Sequence, residues 1–252
     1  MTAGRVYIGL PAYNEEIALP RLLTRFESLA QYSQLALTIV VYNDGSTDKT
    51  AAIAAQWPPR VPLVLLDGET NKGLGAGLRA LIEYAVANGG ADDVLVIMDC
   101  DDTHDPTQIP DMLAATAKGA DVVIASRFKG GATMRGVPVL RRMTALGAVV
   151  LFKLIHPVRN VWDYTCGYRA YRIGLLQKAA ARYRGRLVEE TGFACMVEVL
   201  LKLNAMAARF AEVPLHLRYD LKPTPSKMAV SSNIRRLLAL LIRWRLRRSK
   251  AA

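Results

Sequence analysis

Three short polar runs carry most of the residues whose types and spacing suit chemistry. Asp99-Cys100-Asp101 sets two carboxylates one residue apart, directly after the apolar run Val94–Met98. Such a pair suits a hard divalent cation, which takes one or two carboxylates and completes its shell with substrate phosphate and water. A solvated acidic turn is the plainer alternative. Six acidic residues between Asp92 and Asp105 repel one another, however, and a bound cation relieves that repulsion. Asn43-Asp44-Gly45-Ser46 is by composition a good turn, and Asp44 draws attention because its strand should end beside Asp99. Arg127, just past Val122–Ser126, is placed to meet a phosphate on the same rim, with a surface arginine as the alternative. Arg218 and Lys227 bracket a turn-rich stretch that either closes over a diphosphate or leads to the tail. If the reaction needs a general base, Asp163, Glu190 and Glu198 are the candidates. Glu198 equally suits an ion pair within a helix, and Asp163 a turn or cap.

Other chemistries find little support. The three histidines, His104, His156 and His216, are scattered, which argues against a histidine-built metal site. Cys100, Cys166 and Cys195 are odd in number and far apart, so a disulfide framework and a Cys-x-x-Cys site are excluded and a reducing, cytosolic setting is expected. Gly73-Leu74-Gly75-Ala76-Gly77 follows Asn71-Lys72 rather than the first strand, where a dinucleotide-binding turn belongs. A phosphate-binding Gly-x-x-x-x-Gly-Lys-Ser/Thr loop is absent, as is a Gly-x-Ser-x-Gly elbow.

The elements that must position these residues follow from hydrophobic period. Arg5–Leu10, Leu37–Tyr42, Val61–Leu66, Asp93–Met98 and Asp121–Ser126 read as strands, separated by amphipathic stretches such as Glu15–Leu29 and Leu74–Ala87. This alternation predicts an α/β fold with a Rossmann-like, mostly parallel sheet flanked by helices. In such a sheet ligands bind beyond the carboxyl ends of the strands. Pro11-Ala12-Tyr13-Asn14-Glu15, the Asn43–Asp48 run and Asp99–Asp102 all fall there. From Val137 the pattern changes to a long apolar stretch with embedded basic residues, a loop at Asp163–Arg169, a helix near Phe193–Leu203 and short strands within Ala208–Tyr219. Val137–Ile155 reads as an interfacial or core helix, since its three basic residues argue against a span. Before Pro11 there is one short apolar run, too brief for a signal peptide or a membrane span. With 252 residues, 52% hydrophobic and 22% charged, one compact domain with an appendage is expected.

The net charge of +11 is unevenly spread. Of 33 Lys and Arg, nine lie in residues 221–252, which contain no Asp or Glu; the remaining 24 against 22 acidic residues leave the preceding chain near neutral. Ser231-Ser232-Asn233 suits an N-cap for a basic amphipathic helix carrying Leu237, Leu238, Leu241 and Ile242. That helix is expected to lie on an anionic membrane surface, where each basic residue contributes about 1 kcal/mol. Packing on the domain with solvated arginines is the alternative. Nucleic acid is not expected as a partner, for want of a binding motif or interleaved aromatics.

Together these motifs resemble the family 2 glycosyltransferases of GT-A fold, most closely the branch of dolichyl- or polyprenyl-phosphate mannose and glucose synthases. The resemblance covers roughly residues 5–228. Pro11–Glu15 is similar to the opening nucleotide loop, Asn43–Asp48 to the base-binding loop, and Asp99-Cys100-Asp101-Asp102-Thr103-His104-Asp105-Pro106 to the metal-binding aspartate motif. Ala120–Phe128, Arg141-Arg142, Asp163–Tyr171, Glu212-Val213-Pro214 and Ser226-Lys227 match the synthase branch. The resemblance implies a catalytic domain over residues 1–230, with a nucleotide-sugar half (1–128) and an acceptor half (129–230), followed by the tail helix 231–252. It implies that Pro11, Tyr13, Asn14, Glu15 and Asp44 hold the nucleoside of a GDP- or UDP-hexose, and that Asp99 and Asp101, with Cys100 between them, hold Mg²⁺ or Mn²⁺ on the diphosphate. Arg127, Arg141 or Arg142, Arg218 and Lys227 would bind the diphosphate or a polyprenyl phosphate acceptor, with Asp163 nearby; Asp101, Arg127 and Arg218 would carry catalysis. The implied reaction is inverting hexosyl transfer, with mannose from GDP-mannose favoured, by a cytoplasmic protein peripheral on the membrane face. A hydroxyl acceptor, or nucleotide-sugar binding without catalysis, are the alternatives. Two departures stand out: Asn43 replaces a frequent acid, and the Arg218-to-Ser226 interval is longer than usual in the family.

Overall fold

A computed structural model describes residues 4–58, 60–222 and 230–249. The first four strands, β1 (Val6–Ala12), β2 (Leu37–Asp44), β3 (Leu63–Gly68) and β4 (Val94–Ile97), alternate with helices α1 (Ala18–Ser33), α2 (Thr50–Gln56) and α3 (Leu74–Asn88). Then come α4 (Ile109–Ala117), β5 (Val122–Ser126), a short β6 (Thr133–Arg135), α5 (Val139–Ile155), β7 (Arg169–Arg172), α6 (Ile173–Tyr183), α7 (Ala194–Asn204), β8 (Phe210–Pro214), β9 (His216–Arg218) and α8 (Val230–Ser249). All five strands read from hydrophobic period are present, with ends shifted by one or two residues.

Seven strands form one sheet in the order β3-β2-β1-β4-β7-β5-β8, and β6 pairs with β9 in a separate ribbon. Every pairing in the main sheet is parallel except the two made by β7, which runs antiparallel between β4 and β5. The central strands are buried on both faces, Val-Leu-Val-Ile in β4 completely so, which is why they read as unbroken apolar runs. β7 was legible only as the end of a loop. Its four residues, Arg-Ala-Tyr-Arg, read as polar, yet they form an internal strand because the fully buried Arg169 guanidinium is satisfied by carbonyls rather than by water.

Strand order runs outward from β1 through β2 to β3, then returns to β4 on the other side of β1. The chain therefore leaves β1 and β4 in opposite directions, opening a crevice beyond their carboxyl ends. The Pro11–Glu15 run and the Asp99–Asp101 run emerge at that switch point, side by side. Helix α3 packs over β1 and β2 with α6 beside it. Its glycines serve close approach, in keeping with their rejection as a dinucleotide fingerprint. Gly75 donates its N–H to the Thr191 carbonyl at 2.9 Å, and a Cβ built there would lie 1.8 Å from the Glu190 carbonyl oxygen.

α8 begins at Val230, so Ser231-Ser232-Asn233 lie inside the helix rather than capping it. The helix packs on α7 and α5 through buried Leu240 and Leu241, with Leu237 and Trp244 partly buried beside them, while Leu238 and Ile242 stay exposed. Arg243 pairs with Glu190, and Arg236 donates to Thr191. No helix among the described residues is long and apolar enough to cross a membrane.

The Gly75 contact yields a direct test. Gly75→Ala drives a methyl group into the Glu190 backbone carbonyl, and overpacking of this kind costs about 1–3 kcal/mol. Urea unfolding should show that loss, whereas an unchanged midpoint would mean the Glu190–Thr191 segment yields freely.

Candidate active site

The Asp99–Asp105 loop is ordered by charge. Arg25, reaching across from α1, donates to Asp102 at 2.6 Å and to Asp105 at 2.8 Å. Asp93 accepts backbone N–H groups from Arg5 and Gly90. Much of the repulsion expected among the six acids is therefore answered within the protein, and the pair with a face on the cavity is Asp99 and Asp101. Asp101 accepts from the Thr103 hydroxyl on Oδ1 at 2.6 Å, and Oδ2 is paired with the Lys222 ammonium. Burial pushes the Asp101 carboxyl up, but Lys222 and Thr103 outweigh it and hold the group below the usual carboxylate range. Asp99 sits deep in the cavity with about 33% of its side chain open to it; burial, then the charge of Asp101, raises its carboxyl against the pull of His104 and Lys222. His104 stacks on Tyr168 at 5.0 Å between centroids, and its Nδ1 accepts the Asp99 amide at 3.1 Å. That bond assigns the proton of the neutral ring to Nε2, which faces Asp99.

Asp99, Asp101 and His104 form one end of a cavity continued by Arg127, Arg142 and Lys222 and then by apolar and small side chains, among them Val137, Ala145, Ala148, Leu217 and Leu237. Arg127 lies over buried Asp163: Nε meets Oδ2 at 2.7 Å, Nη2 meets Oδ1 at 2.5 Å, and the Arg127 backbone N–H adds a third bond at 3.0 Å. Asp163 also accepts from the Cys166 N–H, so both oxygens are occupied. Burial favours the neutral acid there, yet the Arg127 charge and these bonds keep the carboxyl below its ordinary value. Below this loop the buried Arg169 donates to the carbonyls of Tyr164, Cys166 and Met196, tying the cavity floor to α7.

The loops after β1 and β2 are stitched together. Asn14, at φ 54°, accepts the Thr47 N–H on its side chain and donates its own N–H to the Ser46 hydroxyl; Glu15 N–H reaches the Thr50 hydroxyl. Asparagine tolerates this left-handed backbone better than most residues. The Asp44 carboxylate accepts the N–H groups of Lys72 and Gly73, both at 2.8 Å, and so fixes the entry to α3.

Comparison with known proteins gives the family and the fold. A family model described as glycosyl transferase family 2 matches residues 7–179. An undecaprenyl-phosphate mannosyltransferase from Micrococcus luteus is 33% identical over 84% of this chain and 82% of its own. The chain belongs to glycosyl transferase family 2. A dolichol-phosphate mannosyltransferase from Pyrococcus furiosus is 28% identical over 83% of this chain, which spans only 55% of that protein's length. The fold is GT-A: glucosyl-3-phosphoglycerate synthase from Mycobacterium tuberculosis, solved with Mn²⁺, UDP and phosphoglyceric acid, superposes with a TM-score of 0.69 over 96% of this chain and 78% of that one, at 20% identity.

In this glycosyltransferase the residues singled out in the sequence divide into three groups. Asp99, Asp101 and Arg127 meet at the cavity; Pro11, Tyr13, Asn14, Glu15 and Asp44 lie on the adjoining rim. Cys100 points into the core, and the buried Cys166 and Cys195 thiols are pushed up to about 12 by burial, so neither offers a thiolate. Arg218 does not reach the cavity. Its guanidinium pairs with exposed Asp220, while its backbone N–H bonds to the Thr103 carbonyl. Arg141 lies in α5 and Arg142 lines the cavity, donating to the Met134 carbonyl. Lys227 and the Arg141 side chain fall outside the described residues. The three candidate bases all face elsewhere: Asp163 to Arg127, Glu190 to Arg243, and Glu198 to Lys202 and the N–H groups of Glu189 and Glu190. Sequence reading passed over Lys222, Arg25 and Arg169. Lys222 left the only usable signal, a basic residue four beyond Arg218 in the same turn-rich stretch.

Asp163→Asn removes one partner of a buried ion pair, a change that costs about 3–5 kcal/mol. The melting temperature should fall by about 6 °C or more, since each kcal/mol is worth about 2–4 °C in a domain of this size. Because the folded carboxyl titrates below its unfolded value near 4, its contribution is present at neutral pH and lost as pH falls through the folded value. Thermal melts from pH 7 downward should therefore show the gap between wild type and Asp163→Asn narrowing in acid.

Proposed function

We propose that this glycosyltransferase moves a hexose, mannose from GDP-mannose by preference, onto a polyprenyl phosphate at a membrane surface, with inversion at the anomeric carbon. One observation carries the choice of acceptor: the cavity presents cationic groups and a carboxylate pair, while Asp163, Glu190 and Glu198 are all engaged elsewhere. His104 offers no free lone pair, its Nδ1 being bonded to the Asp99 amide. A hydroxyl acceptor needs a base to take its proton. A phosphate arrives already anionic, needs none, and is attracted by Arg142 and Lys222. The named activities of the Micrococcus and Pyrococcus relatives support the same reading.

Asp99 and Asp101 fit a divalent ion. They supply two hard oxygen ligands at a strand end, and a cationic ammonium already sits against one of them. Among the described residues no cluster of three or more His, Cys, Asp or Glu forms a closed metal site, so phosphate oxygens and water would complete the shell. The Mn²⁺ in the Mycobacterium structure supports a metal of this class. Bound there, Mg²⁺ or Mn²⁺ would supply positive charge to the leaving diphosphate as its negative charge grows. The rim loops would orient the nucleoside, and the Arg127–Asp163 pair keeps the Arg127 guanidinium rigid at the cavity wall.

Membrane contact is supported by α5 as well as by the basic tail. Arg142, Thr144, Ala145 and Ala148 line the cavity, while Met143, Leu146, Val150 and Leu154 form an exposed apolar face on the same helix. Exposed Trp162 lies under the Lys153 ammonium at 4.6 Å, and Leu238 and Ile242 of α8 are also exposed. An apolar face rimmed by basic residues suits an anionic bilayer, and a lipid phosphate would reach the cavity beside that face.

Incubation of the protein with GDP- and UDP-hexoses, polyprenyl phosphate and Mg²⁺ or Mn²⁺, followed by product identification, tests the reaction. A mannosyl phospholipid from GDP-mannose is expected, with kcat lowered about 100- to 1,000-fold in Asp101→Asn. Transfer to a hydroxyl acceptor alone would overturn the reading. For the surface, Leu146→Glu with Val150→Glu should weaken co-sedimentation with anionic vesicles at least about tenfold, as expected for two lost apolar anchors; unchanged sedimentation would refute it.

A further inference from the structure

Lys222 occupies an unexpected place. It ends the short helical turn Tyr219–Leu221 after β9, and its side chain reaches back into the cavity to Asp101. Both partners are largely enclosed, at 14% and 13% side-chain exposure. Asp99 and Glu15 add to the negative field around the ammonium. The segment is anchored one step earlier, where the Arg218 N–H bonds to the Thr103 carbonyl, so the same loop that carries Asp101 also holds the start of the lysine's own turn.

The hydrogen-bond inventory of Asp101 decides what this means. Oδ1 accepts from Thr103, and Oδ2 is taken by Lys222. Each oxygen of this carboxylate therefore has a neighbour, and a dication bound at Oδ2 would meet the like charge of the ammonium already there. Resting on the metal assignment proposed above, we propose that Lys222 is a resident counter-cation: it holds the position at Asp101 until a divalent metal displaces it, so metal entry and release of the 219–222 turn are one event. Tyr219, Leu217 and Lys222 line the same cavity. Loading of metal therefore loosens the cavity wall on the acceptor side, which orders metal before acceptor. An isolated acidic pair would repel itself when empty; the lysine neutralises it without fixing it permanently, because an ammonium is a monovalent point charge that a dication outcompetes.

The test uses the full chain and Mn²⁺ alone, with no nucleotide and no acceptor, and reads free Mn²⁺ by electron paramagnetic resonance. Lys222→Met removes the competitor and should bind Mn²⁺ about five- to tenfold more tightly than wild type, the factor expected for loss of a partly enclosed ion pair. Arg142→Gln removes a charge from the same cavity without touching Asp101 and should change the affinity by no more than about twofold. In parallel, trace acetylation read by mass spectrometry should find Lys222 protected in metal-free protein and more reactive with Mn²⁺, relative to Lys118 and Lys129. Equal Mn²⁺ affinity in wild type and Lys222→Met, an equal gain in Arg142→Gln, or a Lys222 as protected with Mn²⁺ as without it overturns the exchange while leaving the metal site standing. Mn²⁺ binding to none of the three proteins overturns both the exchange and the metal assignment.

Discussion

Two aspartates at the end of a buried strand must be neutralised by something, and the rest of the site is arranged around that requirement. β4 is enclosed on both faces, and the chain that leaves it carries Asp99 and Asp101 into a cavity lined largely by apolar side chains. Negative charge at that depth is costly unless it is paired. Nearby acids that play no part at the cavity are answered by fixed partners, Asp102 and Asp105 by Arg25. Asp101 is answered by a lysine on a short turn, which can be exchanged.

The same logic separates the charged groups that support the site from those that meet ligands. Arg127–Asp163 and the carbonyl-bound Arg169 each tie one segment to another, as do Glu198 and Lys202 through their bonds to residues 186–190. Arg142 and Lys222 line the cavity together with Arg127, but neither is held by a fully buried carboxylate such as Asp163. Among the described residues this chamber holds cations and one carboxylate pair but none of Asp163, Glu190 and Glu198, which supports the proposed acceptor that brings its own negative charge. The exposed apolar face of α5 belongs to the same helix that lines this chamber, which supports the proposal of a lipid held on that face with its phosphate directed to the chamber.

Much of the fold was legible because its central strands are continuous apolar runs and its first helices carry clean periodicity. The rim loops were legible for the same reason: each follows a strand that could be placed. β7 was hidden by its arginines, since the burial of Arg169 depends on carbonyls contributed from Tyr164 to Met196, contacts that local pattern does not contain. Roles at the site were harder to read than positions. Asp163 and Glu198 have the residue type of a base; the alternative read for Glu198, an ion pair within its helix, is the one found with Lys202, whereas only the third dimension shows Arg127 against Asp163. Arg218 matched an expected motif but turns to Asp220, and Lys222, without a motif, takes the inward position because the intervening turn reverses the chain.

The most direct measurement is anomalous diffraction at the manganese edge from crystals grown with Mn²⁺ and GDP. A single strong peak within about 2.3 Å of carboxylate oxygens of both Asp99 and Asp101, with diphosphate oxygens completing the shell, is the expected result. A peak elsewhere, or GDP bound in the crevice with no metal at these aspartates, would contradict the central claim.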